Sequence, residues 1–557
     1  MQGSVGSFGQ RRALLLWGPG GASTHTFGGV EYARGDGFGD NRRHERMSAI
    51  GSYEGRLGKT GTWRLLATSY ASHYNQAGVL RVDDMKAGAV DFYGTYDTQQ
   101  GGDSSRHGVA LIVDDTFGRT QVQQSIYATR RDFRLRENLT GFLLDPQLDS
   151  QSVRSSAQRG DLIDQRSGTS TLGAKGSARS RWSLLGQRQE LEVGYSGRLD
   201  GVDSTQQRNR FGTTIPYRTD LSLESSLANL GLYADASLKP LSWVTLRGGG
   251  RVDLYSYRVT NRCAQPDKPT ASFQTYAPDT ECFGPDRQGY RSPDETASTS
   301  ASIWQPRATL LLGPFTGFSF SLSRGTGSRS LDPQYVAQNY DTPFARVTAT
   351  EAGASYARSF ESTTLTARSV FFQTSVDRDL FFNATEGRNT LASGTTRTGW
   401  AGNVRATGDF FDVAGNVTLV RGTFDDTRLV IPYVPEVVVR ADATVFGDLP
   451  LAPGKTPLQG SLAAGFSYVG RRPLPYDERS QVIAVADASA SLSWRAVSFT
   501  LACTNLLGTR YRQAEYNYAS DFRKTNAYPT QVAARHFAAG EPRVLTATLT
   551  LHLDADG

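Results

Sequence analysis

Residues 542–553 read "PRVLTATLTLHL". Leu545, Ala547, Leu549, Leu551 and Leu553 fall on one side of an extended chain; Val544, Thr546, Thr548, Thr550 and His552 fall on the other. Successive side chains of a strand point to opposite faces, so this stretch is a strand with one apolar and one mostly polar face. What the apolar face meets, a protein core or lipid, decides the fold.

The same alternation recurs along the chain. In "LGLYADASLKP", Leu230, Leu232, Ala234, Ala236 and Leu238 oppose Tyr233, Asp235, Ser237 and Lys239. In "WVTLRGGGRVDLYSY", Val244, Leu246, Val252 and Leu254 oppose Thr245, Arg247, Arg251, Asp253 and Tyr255. No long segment carries a 3.6-residue period, so the chain is all-β. Its 557 residues are 38% hydrophobic, and the longest apolar runs resemble "ALLLW" at 13–17. That is far short of the ~18 residues of a membrane helix. It leaves open a membrane barrel, whose strands dilute lipid-facing residues with lumen-facing ones.

The connections decide the question. Short ones ("GKTG" at 58–61, "DTFG" at 115–118, "KPLS" at 239–242, "GPFT" at 313–316, "DFFD" at 409–412) alternate with long polar ones. The long ones cover 73–105, 136–166, 200–224, 258–301, 326–347, 377–396 and 507–543. In an antiparallel meander alternate connections lie at the same end, so one end is trimmed and the other carries large loops, as in outer-membrane barrels. Trp17, Trp63, Trp182, Trp243 and Trp494, five of seven tryptophans, lie beside short connections, with Phe315, Phe318, Phe360, Phe410, Phe411 and Phe446. An interfacial girdle wants such rings at headgroup level. The expectation is a transmembrane antiparallel β-barrel of about 22 strands in the outer membrane. It has short periplasmic turns, long extracellular loops, a stub of a first strand near 2–8 and a last strand over 544–553.

Chemistry is sparse. The six histidines show no paired ligand spacing, and "GRLGKTG" has Tyr53 where a phosphate-binding loop needs glycine. No nucleophile elbow or Cys/His constellation supports catalysis, and no metal or cofactor is assigned. The net charge of +6 is spread without a basic run, which disfavours nucleic acid. "NLT" at 138–140 matches a glycosylation sequon, a motif common by chance. Cys263 and Cys282 flank a loop-like stretch and are expected to pair if it lies in an oxidising compartment; the alternative is two free thiols. Candidate ligand contacts are Arg247, Arg251, Asp253 and Tyr255 on the polar wall, and Tyr511, Tyr516, Tyr518 and Tyr528 in the last long loop. The alternative for the tyrosines is packing of the loop on itself.

"FTLACTNLLGTRYRQAEYNYAS" followed by "GEPRVLTATLTLHL" resembles the C-terminal end of TonB-dependent outer-membrane receptors. Asn505, Leu506, Leu507, Tyr511, Pro542 and Arg543 hold the positions of that family's N-L-hydrophobic turn, tyrosine loop and "PR" opening of the final strand. "AGVLRVDD", "ENLTGFLLDPQ", "YADASLKPLSWVTLRGGGRVDLYSY" and "GRRPLPYDERS" are similar to one branch of it, so the resemblance runs over nearly the whole chain. It implies uptake of a scarce ligand, a ferric siderophore or cobalamin, powered by the TonB–ExbB–ExbD complex, and insertion by the barrel-assembly machinery. Two features depart from the family. The final strand ends on Leu553 and "DADG" rather than on an aromatic residue, and residue 1 already falls in the first barrel strand, where the family has a plug and a TonB-contacting segment. On this reading residues 1–557 are one barrel domain with a clipped first strand. The plug is left out of the gene, carried on another chain, or lost. Two alternatives stand beside uptake: an ungated outer-membrane pore, and a secreted soluble β-protein that binds glycans.

Overall fold

The computed structural model describes residues 1–19, 25–143, 160–184, 186–209, 216–262, 295–337, 343–385, 387–450, 457–523 and 530–553. Twenty-two antiparallel strands form one closed sheet, from Gln2–Gly6 to Val544–Leu551. No helix among the described residues is long and apolar enough to cross a membrane. The two helices among the described residues, Val82–Lys86 and Pro333–Ala337, are single turns in the connections between strands.

The first and last strands seal the barrel, with rungs from Gln2↔Thr550 to Gly6↔Thr546. The seam extends past the short first strand at both ends. The Met1 amino group donates to the Leu551 carbonyl at 2.7 Å, and the Ser7 amide donates to the Leu545 carbonyl at 2.9 Å. The short first strand therefore pairs along the length of its partner. A closed barrel is the one sheet arrangement without an edge, as hydrocarbon demands.

The strand faces obey the alternation read from sequence. Leu230, Leu232, Leu246 and Leu254 are 47%, 59%, 45% and 50% exposed on the outside. Across the sheet Asp235 and Asp253 point inward and are buried. An apolar outer wall of this extent is incompatible with a soluble protein and matches lipid. That removes the secreted glycan-binding reading. At the short-turn end the rings gather into pairs: Trp243 with Phe315 at 5.8 Å, Phe318 with Tyr356 at 4.6 Å, Tyr53 with Trp63 at 5.6 Å.

One boundary expectation fails. The stretch 200–224 is mostly strand: Gln187–Asn209 and Pro216–Leu241 stay paired through Asp203↔Glu224 and Gln206↔Leu221. The ladder here rises above the apolar belt, where both faces meet water or polar loops. Asp203, Ser204, Thr205, Gln206 and Gln207 therefore carry no alternation to read.

Candidate functional site

The inner wall is laced with ion pairs. Arg247 and Arg307 each bring Nε to 2.8 Å from an oxygen of Asp235. Arg251 holds Asp253 through Nε at 2.6 Å and donates to the Ser196 hydroxyl at 2.7 Å. Tyr255 shares a 2.9 Å hydrogen bond with Ser328 and packs on Phe344. Similar clusters recur around the barrel: Arg12 and Arg46 on Glu31, Arg179 and Tyr233 on Glu192, and Arg440 on Asp442 and Asp487. All four wall residues expected on the lumen side point there. Their charges are matched within the wall, while the arginine heads keep water contact: Arg247 and Arg307 side chains are 56% and 58% exposed.

The long loops fold over that end as a cap with its own core. Arg512–Ala519, Ala533–Ala539 and the short Leu80–Arg81 form a three-stranded sheet. Val79, Leu139, Ala384 and Tyr518, from four separate loops, make one buried cluster beneath it. Gly141 and Asp521 join two loops by a backbone bridge, with the Phe142 amide donating to the Asp521 carbonyl at 2.7 Å. The sequon asparagine has a structural task here. Asn138 is buried, its amide donates to Asp97 at 3.1 Å, and its side-chain carbonyl accepts from the Gly141 amide at 2.9 Å.

At the cap centre His536 is fully buried, stacked on Tyr518 at 4.0 Å, with Nε2 2.6 Å from the Ser520 hydroxyl. Burial, helped by the Arg81 guanidinium, pushes its pKa down to about 3, so the imidazole is neutral. Arg512 pairs with buried Glu515 at 2.8 Å and lies over the Phe537 ring.

The loop tyrosines divide. Tyr518 spends its ring on His536 and its hydroxyl on the Leu139 carbonyl, 2.7 Å away; it is cap core, with no face left for a ligand. Tyr511 packs beneath Gly540, where an added Cβ would meet its ring at 2.3 Å. Tyr516 is half-buried in an aromatic group that sequence reading missed: Tyr433 at 5.3 Å and Phe382 at 6.3 Å, with Phe381 stacked on Tyr433 at 6.2 Å. Burial raises the Tyr433 hydroxyl to about 12. These rings come from three loops, so no local spacing could have shown them. Tyr528, Cys263 and Cys282 lie outside the described residues.

The C-terminal motif anchors the last loop. The Asn505 amide donates to the carbonyls of Thr509 and Glu541, both at 2.9 Å, and its oxygen accepts from the Thr509 amide at 2.9 Å. One side chain thus ties both ends of the excursion to the wall, from a left-handed backbone that asparagine tolerates (φ 47°). The Leu506 amide donates to Ala486, Leu507 is exposed, and Arg543 lies against Gly508. Pro542 precedes the last strand, where no ladder donor is needed.

No protein-family model matches the chain, and no curated protein matches it in sequence. Solved structures do match its fold. The ferric-catecholate import receptor Fiu from E. coli K12, in its closed form, is 16% identical, with a TM-score of 0.72 over 99% of this chain and 81% of that one. The siderophore receptor PiuA from Acinetobacter baumannii is 12% identical, with a TM-score of 0.73 over 99% and 80%. The copper transporter OprC is 12% identical, with a TM-score of 0.67 over 99% and 79%. The chain, a closed ring of 22 strands, therefore has the fold of an outer-membrane receptor barrel.

Proposed function

We propose that this chain is the barrel of a TonB-energised receptor that takes up a scarce metal complex, of which a ferric siderophore is the leading candidate. The observation that carries the reading is the combination of a closed 22-strand ring, charged on its inner face, with a folded cap at its loop end. A 22-strand ring encloses more space than side chains fill, and barrels of that size hold a plugged lumen. The cap presents half-buried rings, Tyr433, Tyr516, Phe381 and Phe382, with the cationic Arg472 beside Tyr516. That chemistry suits a large anionic chelate with flat groups. The lumen arginines Arg247 and Arg251, with Asp253 and Tyr255, would line its path. Gating would fall to a plug seated in the lumen, with TonB acting on that plug.

The test is growth on a panel of ferric siderophores, cobalamin and copper complexes, with and without TonB, alongside sensitivity to a large antibiotic. TonB-dependent growth on one ligand, lost in a Tyr433→Ala, Tyr516→Ala double variant, supports the reading. Solute entry independent of TonB with raised antibiotic sensitivity would show an ungated pore instead.

A further inference from the structure

The outer wall carries a groove that the transport reading does not use. It crosses the longest strands, about 820 Å³ in volume. Gly197 and Ala228 form its floor, and Leu172, Leu199, Leu230 and Leu254 its walls. These residues share the lipid-facing parity, and the four leucines are 47–57% exposed. A Cβ added at Gly197 or at Gly201 would meet nothing within 4 Å, so the notch opens to the membrane. A second depression shares Leu172, Leu199, Ala228 and Ser256 with the first and continues it upward to Arg258.

Arg258 is the polar end of this track. It faces outward between Ser226 and Ser298 on the neighbouring strands, and it has no hydrogen-bond or ion-pair partner among the described residues. The next outward arginine, Arg262, is neutralised by Glu224. Arg258 stands fourteen residues up its strand from Val244 at the turn end. That is roughly 45 Å of strand, or about 33 Å above the turns at a tilt near 45°. The apolar band of such barrels is about 25 Å tall. The guanidinium thus sits several ångströms above the acyl region, at the depth of lipid phosphates, directly over an apolar groove.

We infer that this track is a binding site for a phosphorylated lipid of the outer leaflet. One acyl chain lies against Gly197 and Ala228 between the leucines, and a headgroup phosphate is held by Arg258 with the flanking serine hydroxyls. Guanidinium is the side chain best matched to phosphate, and an unmatched cation at the rim of a membrane belt finds its counter-charge in the lipid.

Native mass spectrometry of the detergent-solubilised chain, titrated with bisphosphorylated lipid A and with its dephosphorylated form, tests this. The chain should retain the phosphorylated form at least tenfold better. Arg258→Gln should abolish that preference, Arg262→Gln should keep it, and Gly197→Phe should weaken both lipids by filling the groove. Heat-modifiable mobility on SDS gels confirms that each variant is folded; should Gly197→Phe fail that check, Arg258→Gln decides alone. Equal retention of both lipids by the chain, or an unchanged preference in Arg258→Gln, overturns the inference.

Discussion

Lowering the pH should loosen the cap through one residue. His536 is buried as the neutral imidazole with its pKa pushed down to about 3, whereas an unfolded histidine titrates near 6.5. Between those values the opened cap binds a proton that the closed cap refuses, so closure is favoured above pH 6.5 and weakens as pH falls. At pH 5 the linkage costs about 2 kcal/mol relative to pH 7.5, a shift of roughly 30-fold in the closed-to-open ratio. The Arg81 guanidinium nearby adds to the resistance, and Asp83 partly offsets it. The assay is amide hydrogen exchange of Arg512–Ala519 and Ala533–Ala539 at pH 7.5, 6 and 5, corrected for intrinsic rates. Protection should fall about 30-fold in the wild type. A His536→Gln variant, whose amide can still meet Ser520, should show little slope above pH 5. Carboxylates such as Asp521, held low by the Arg523 pairing, lose their contribution only under more acid conditions. Equal slopes in the two proteins, or an imidazole found to titrate near 6.5 by NMR, would refute the argument.

Leu232→Arg should destabilise the barrel in lipid by about 2–4 kcal/mol, while arginine at inward-facing Thr245 should cost less than about 1. Leu246→Arg should fall between them because it sits two residues above the turn end; reversible unfolding in vesicles reads the order, and equal tolerance at Leu246 and Thr245 sinks the face assignment. Thiol labelling of the unreduced, denatured chain should modify Cys503 alone if Cys263 and Cys282 are paired, and three labelled thiols would exclude the bridge. Tyr518→Phe should cost about 1–3 kcal/mol of cap stability by orphaning the buried Leu139 carbonyl, measured as faster exchange at Ala533–Ala539 with no change in barrel mobility on gels. Asp235→Asn should change barrel stability by less than about 1 kcal/mol, since the partners Arg247 and Arg307 keep their water.

The barrel was legible because lipid imposes a strict rule on every second residue. Leu230, Leu232, Leu246 and Leu254 announce their face without reference to the rest of the chain. The strand extensions at Gly201–Asn209 were hidden because above the belt that rule lapses. The cap was hidden for another reason: its contacts are tertiary. Tyr516 meets Tyr433 and Phe382 from loops 83 and 134 residues away, and nothing in "YRQAEYNYAS" distinguishes Tyr516 from core Tyr518. Both are tyrosines two apart on one strand, separated in role only by what the neighbouring loops bring.

The seam between Gln2–Gly6 and Val544–Leu551 has a kinetic side. Every other neighbouring pair in the ring can form progressively along the chain, because its strands follow one another with only loops between. The seam joins residues separated by almost the whole polypeptide, so its loop-closure entropy has to be met in a single late event, and only a handful of rungs reward it. Closure should therefore be the slow step of folding, and the seam the first place to part under load. A cross-link from Ser4 to Thr548, whose hydroxyls lie 2.9 Å apart across the seam, would convert that step from a search into a constraint.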